Sequence, residues 1–181
     1  MLSIVGGKLT TYRIMARDVV NLAVRRLHEL DGARYPSRTA TDEEPLPGGE
    51  AQDLQPFHQT PRDLGVPPET VDHLLRHYGT ETAAICNLIR DDRTLLRPLS
   101  DDHPAIEAEV VHSTRRELPQ HVDDFLIRRI HPYYEVRDRG AAAADRVAAL
   151  MGGELGWDST RMAGEVERYS QLLAAAATQM S

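Results

Sequence analysis

In this 181-residue sequence, the residue types and spacing that suit chemistry lie in the run Gly6-Gly7-Lys8-Leu9-Thr10-Thr11-Tyr12-Arg13. Two adjacent glycines let backbone approach a flat ligand closely, because no Cβ intervenes. From Tyr12 to Leu30, Ile14, Met15, Val19, Leu22, Ala23 and Leu27 recur at helical spacing, with Thr10 or Thr11 as a natural N-cap. The start of such a helix presents unpaired N–H groups and the positive end of its dipole, a place that favours negative charge. Lys8, between turn and helix, adds a mobile cation. Together these suit an anionic ligand, or a group that becomes anionic during reaction. Glycine-lysine turns before helices are common, so a purely structural turn, with the threonines capping alone, stays open at this point.

The surrounding elements must hold that turn in place. Leu2 to Val5 reads as a strand stub, too short for a sheet without partners, broken by Gly6-Gly7, and Gly32 reads as the C-cap of the helix. Residues 1–32 therefore form one strand-turn-helix segment. Residues 33–62 lose periodicity and carry Pro36, Pro45, Pro47, Gly48, Gly49, Pro56 and Pro61 around the acidic run Thr41-Asp42-Glu43-Glu44, the pattern of a long connection. Residues 63–181 read as an all-helical domain, so the fold class is mainly α. Helices are expected over Pro68–His77, over Glu81–Arg90 capped by Thr80, from near Pro104 to Leu118, over Val122–Ile130 after Pro119, and over Arg139–Leu155 closed by Gly156. The last begins at Asp158 or Ser159 and reaches about Ala177, its alanine-rich end frayed.

Bulk properties exclude several function classes. With 41% hydrophobic and 27% charged residues, the composition is that of a folded, water-exposed chain. A net charge of -7 disfavours sequence-independent nucleic-acid binding, which needs excess Lys and Arg to neutralise phosphates. No apolar run is long enough to span a membrane, and the first residues lack the charged and apolar regions of a secretory signal. The single cysteine, Cys86, excludes an intramolecular disulfide and a multi-cysteine zinc site, which fits a reducing cytoplasm. It reads as a small buried hydrophobe. His103, His112, His121 and His131 show no pairwise metal-ligand spacing and read as surface or capping residues, with Glu109 and His112 an ordinary side-chain pair. Arg115-Arg116 and Arg128-Arg129, flanked by Glu117, Asp123 and Asp124, read as internal ion pairs or as a docking face. Trp157 reads as an anchor for the last helix.

The run from Gly6 to Arg13 closely resembles the C-terminal flavin-contacting motif of FAD-dependent glycerol-3-phosphate dehydrogenases and alpha-glycerophosphate oxidases. The resemblance continues in order through Tyr35-Pro36-Ser37-Arg38-Thr39, Pro45-Leu46-Pro47-Gly48-Gly49, Arg76-His77-Tyr78-Gly79-Thr80, Glu109-Val110-Val111-His112 with Arg115-Arg116-Glu117, Asp123-Asp124 with Arg128-Arg129, Arg137-Asp138-Arg139-Gly140 and Glu154-Leu155-Gly156-Trp157. It implies that Gly6, Gly7, Leu9, Thr10 and Thr11 shape an FAD pocket. Lys8 would face the flavin edge, where charge develops on reduction, and the phosphate of glycerol 3-phosphate. Arg13 would find a partner on the nucleotide-binding fold. The implied reaction is oxidation of glycerol 3-phosphate to dihydroxyacetone phosphate, with hydride passing to flavin and electrons to a quinone or, in oxidases, to oxygen. Implied partners are an FAD-binding domain or subunit and, in some members, the membrane surface; a homodimer stays open. The sequence departs from the family pattern at Pro119-Gln120-His121 and at Ile130-His131-Pro132, and it holds no G-x-G-x-x-G fingerprint. Two readings follow: the C-terminal part of such an enzyme, inactive alone, or a helical interaction module or subunit of a split flavoenzyme.

Overall fold

Tyr12–Asp31 forms helix α1, and Gly32 closes it in the left-handed region (φ 69°) with its N–H donating to His28 O at 2.9 Å. A glycine there carries no Cβ penalty. The computed structural model describes residues 2–36 and 40–179; Ser37, Arg38 and Thr39 of the expected connection lie outside the described residues. Leu2 to Lys8 has no regular structure, so the strand stub is not formed. A strand needs a neighbour to take its backbone hydrogen bonds, and none pairs with it among the described residues.

The chain divides into two compact units, Met1–Leu46 and Pro47–Ser181. In the first, α1 has no buried residue, although Ile14, Val20, Leu27 and Leu30 are large and apolar. In the second, helices α2 (Gln59–Asp63), α3 (Pro68–Tyr78) and α4 (Thr82–Asp91) are followed by strands β1 (Pro98–Ser100) and β2 (His103–Ile106). Then come α5 (Glu107–Arg116), α6 (Val122–Arg128), α7 (Pro132–Glu135), α8 (Ala144–Leu155) and α9 (Ser159–Gln179). The architecture is mainly α with one small antiparallel hairpin, in which Pro98 pairs with Ile106 and Ser100 with His103.

Helix α5 is buried from Glu107 to Thr114, on every face. A helix covered all round belongs at the centre of its domain. It packs on α4 and α8, α8 packs on α9, and α3 lies against β2. Leu74, Ile85, Ile89, Val110, Phe125 and Met151 are fully buried, and Cys86 is buried as its apolar helix face suggests.

The helix expected from Pro104 begins instead at Glu107. Ile106 stays extended (φ -119°, ψ 161°), and its N–H donates to Glu109 Oε1 at 2.8 Å. The carboxylate at the third helical position thereby sets the helix start, which frees His103–Ile106 to pair with β1. Thr80 does not cap α4: its hydroxyl donates to the Glu50 carboxylate, and Gly79–Glu81 forms a 3-10 turn ahead of the helix. Asp158 does cap α9, accepting from Arg161 N–H at 2.7 Å. That helix runs through the alanine-rich stretch to Gln179, as suits the residue of highest helix propensity.

The proline-glycine segment after Leu46 is fitted closely to the end of α3. Gly48 (φ 87°) accepts from Thr80 N–H at 3.0 Å, and a Cβ on Gly48 would stand 2.3 Å from Tyr78 O. A Cβ on Gly79 (φ 52°) would stand 1.9 Å from Gly48 O. Neither position accommodates a side chain.

Candidate functional site

The Gly6–Thr11 turn is built by two residues of positive φ, Gly6 at 83° and Gly7 at 109°. They differ in surroundings. Gly7 holds a φ that residues with side chains rarely adopt, and a Cβ there would meet the flexible Met15 side chain at 2.7 Å. Nothing lies within 4 Å of the Cβ position on Gly6, so that face of the backbone is open to a flat partner. Lys8 is extended (φ -75°, ψ 144°) ahead of the 3-10 turn Leu9–Thr11. Thr11 stands at the N-cap, but its hydroxyl donates to Lys8 O at 2.8 Å rather than accepting from the helix. Thr10 likewise does not cap α1. The first turn of α1 carries no acidic residue, so no carboxylate of that turn offsets its N–H groups and dipole.

Gly6, Gly7, Lys8, Leu9, Tyr12 and Met15 line a shallow depression of about 440 Å³. Leu9 is 90% exposed and Val5 93%, so the turn presents an unusually apolar rim. The Lys8 side chain is exposed, and it pairs with no carboxylate among the described residues. Arg13 donates to Thr41 O at 3.0 Å, a partner within its own unit. Of the six expected cofactor-contacting residues, Gly6, Gly7, Lys8 and Leu9 line this depression, and Thr10 and Thr11 do not.

Of the four histidines expected as surface or capping residues, His121 and His131 stand at the N-caps of α6 and α7, while the other two depart from that expectation. His103 and His112 are buried, as is His73, which sequence reasoning passed over. His73 and His77 lie four apart on α3, a spacing that brings rings together on one helix face. Their ring centroids are 4.3 Å apart, and His103 approaches His73 edge-on at 5.4 Å. Glu109, fully buried, bonds His73 Nε2 at 2.8 Å, not His112. His112 instead packs edge-on to Tyr78, with Glu81 at 3.9 Å. Burial lowers the pKa of His77, His103 and His112, and His73 adds like-charge repulsion for the first two. Among the described residues, no group of three or more His, Cys, Asp or Glu is arranged to hold a metal ion.

The basic pairs are satisfied within the helical unit. Arg115 forms a forked bond to Glu154, Arg116 reaches Glu81 at 3.5 Å, and Arg129 reaches Glu117 at 3.3 Å. Arg128 bonds Asp123 at 2.6 Å, and Arg168 from α9 bonds the other oxygen of the same carboxylate. Burial works to raise the Asp123 pKa, but the two guanidiniums hold it below the usual carboxylate range. His121, in one of the departures from the family pattern, bonds Glu165 of α9 at 2.9 Å. His131, in the other, takes the left-handed conformation (φ 62°) ahead of Pro132 at the start of α7. Trp157 is half-buried and carries Arg161 over its ring at 5.3 Å, beside the start of α9.

Over residues 39–162 the sequence matches the family described as the C-terminal domain of alpha-glycerophosphate oxidase. The chain belongs to this family. At 30% identity over 174 residues it is similar to glycerol-3-phosphate dehydrogenase 2 of Mycobacterium bovis, covering 93% of this chain and 28% of that protein. At 31% identity over 177 residues it is similar to the mitochondrial glycerol-3-phosphate dehydrogenase of Rattus norvegicus, covering 96% of this chain and 24% of that one. The chain thus spans about a quarter of the length of these relatives. No solved structure matches it. The C-terminal domain family accounts for most of the helical unit, while Gly6–Thr11 lies outside the matched span. The role of that turn rests on its own geometry and sequence. No helix among the described residues is long and apolar enough to cross a membrane.

Proposed function

We propose that this chain contributes one edge of the flavin site, and the C-terminal helical domain, to an FAD-dependent glycerol-3-phosphate dehydrogenase. The observation that carries this reading is the open face of Gly6, set at positive φ before a helix start that no side chain caps. The residues present fit the edge of a flat, apolar ring system that gains negative charge. Gly6 admits close backbone approach, Leu9 and Tyr12 offer apolar contact, and the α1 N–H groups with Lys8 favour an anion. FAD, when bound, supplies the acceptor for the hydride that glycerol 3-phosphate loses on oxidation to dihydroxyacetone phosphate. Lys8 holds a positive charge where the substrate phosphate and the flavin edge meet. Thr10 and Thr11 offer hydroxyls to the cofactor, and Gly7, by its positive φ, lets the turn set Lys8 in place.

The adenosine and pyrophosphate need a glycine fingerprint that these 181 residues do not contain, so a further nucleotide-binding domain or subunit holds them. The apolar side chains that α1 leaves exposed support such a partner. We place the assembled enzyme in the cytoplasm, against the inner face of the membrane, passing electrons to a quinone. The chain purified alone is expected to carry no stoichiometric flavin absorbance and to show no dye-linked glycerol 3-phosphate oxidation. Adding a family nucleotide-binding domain is expected to restore both. In that assembly, Lys8→Gln raises KM for glycerol 3-phosphate about 10-fold or more, the loss of one charge-assisted contact of roughly 1.5–3 kcal/mol. Flavin and turnover in the chain alone would sink the reading. A separate core in the helical unit supports a second reading, an interaction module or split-enzyme subunit. Binding to the nucleotide-binding domain without restored turnover would favour it.

A further inference from the structure

His103 opens strand β2 with its side chain 2% exposed and both ring nitrogens engaged. The Ala105 backbone N–H donates to His103 Nδ1 at 3.2 Å, and His103 Nε2 faces Glu135 Oε2 of α7 at 3.1 Å. A backbone amide can only donate, so Nδ1 is the acceptor and the single ring proton sits on Nε2, shared with Glu135. The bond at Nδ1 exists only for the neutral ring, whereas the one from Nε2–H to Glu135 is kept when the ring is protonated. An imidazolium would place a second N–H against that of Ala105, two buried donors pointing at each other.

The surroundings add to this constraint. From α3, His73 approaches His103 edge-on at 5.4 Å and itself stacks on His77 at 4.3 Å, which lies 6.2 Å from His131. From α5, Glu109 is committed to His73 and to Ile106 N–H. From α7 comes Glu135, whose side chain is 53% exposed. Glu69, Asp101 and Asp102 line the adjoining depression, but all three are exposed, so water screens their attraction for a protonated ring.

We propose that His103 is an acid-released latch within the β1–β2 hairpin: its buried neutral ring accepts from the Ala105 amide near neutral pH, and its protonation sets two buried donors against each other and loosens the hairpin, while the contact to Glu135 remains. Burial first, then the charge of His73, pushes the ring's pKa down from 6.5, against the opposing pull of Glu135 and Glu109. The latch therefore stays closed above pH 6.5 and opens as pH falls below it.

Hydrogen exchange of the full chain, compared at pH 7.5 and 5.0 after correction for intrinsic exchange, tests this. The amides of residues 98–106 are expected to lose protection at least 10-fold more than those of α8 at the lower pH, reversibly. His103→Asn keeps an acceptor near the Nδ1 position but cannot be protonated, so its hairpin protection relative to α8 is expected to vary less than 2-fold between the two pH values. Hairpin protection that is independent of pH in the unmodified chain would overturn the proposal. So would the same 10-fold loss in His103→Asn. If that variant fails to fold, ring and amide NMR of the unmodified chain decides: the Ala105 amide must titrate with the His103 ring, and an Ala105 amide that stays still refutes the latch.

Discussion

Replacing Gly79 by alanine is expected to destabilise the helical unit by about 2–4 kcal/mol, and two contributions set that size. A residue with a side chain held at φ 52°, ψ -125° lies in a region essentially reserved for glycine, which costs of order 1–3 kcal/mol. The added methyl would also stand 1.9 Å from the Gly48 carbonyl oxygen, a backbone atom that yields only if the 47–49 segment moves. Movement breaks the 3.0 Å bond from Thr80 N–H to Gly48 O, worth about 1 kcal/mol. Gly153 supplies the control, since it sits inside α8 with nothing within 4 Å of its Cβ position. Alanine there is expected to stabilise by roughly 0.5–1 kcal/mol through the unfolded chain. Urea unfolding followed by far-UV circular dichroism measures both, with unchanged m-values as the check that the denatured state is comparable. A Gly79→Ala midpoint within 1 kcal/mol of the parent would show that the 47–49 segment is not seated on α3, and would refute the argument.

Three further outcomes follow from the buried polar groups. Glu109→Ala leaves His73 Nε2 and Ile106 N–H without their partner at a fully buried site, so it should cost about 3–5 kcal/mol in the same unfolding assay. Asp123→Asn should cost about 2–4 kcal/mol near neutral pH by loosening α9 from α6. Because the folded pKa of Asp123 is depressed, its contribution is present above pH 3.8 and lost as pH falls through the folded value, so the variant should lose less stability than its parent on acidification below pH 4. The folded pKa values of His77 and His112 are likewise lowered from 6.5, mainly by burial. Stability is therefore complete above pH 6.5 and declines as pH falls below it, and a melting temperature that stays flat from pH 7 to 5 would contradict the burial of those rings.

Local signals in the sequence were sufficient for the longer helices, but not for the short helices α2 and α7. Glycine after a periodic apolar run fixes the ends of α1 and α8, and Asp158 fixes the start of α9, because capping depends on a few neighbouring residues. Gly6-Gly7-Lys8 before a helix is equally local, and the ordered motifs from Tyr35 to Trp157 point to the family without any coordinates. Tertiary structure decided where tertiary contacts outweighed local preference. His103–Ile106 becomes a strand because β1 is there to pair with it and Glu109 takes the Ile106 amide. Thr80 turns to Glu50, thirty residues earlier, instead of capping α4. The histidines are buried because α3, β2 and α5 meet at one place, which neither the spacing of His103 and His112 nor the four-residue interval between His73 and His77 reveals alone. A sequence states which donors and acceptors a chain carries; only packing determines which of them lose water, and therefore which must find each other.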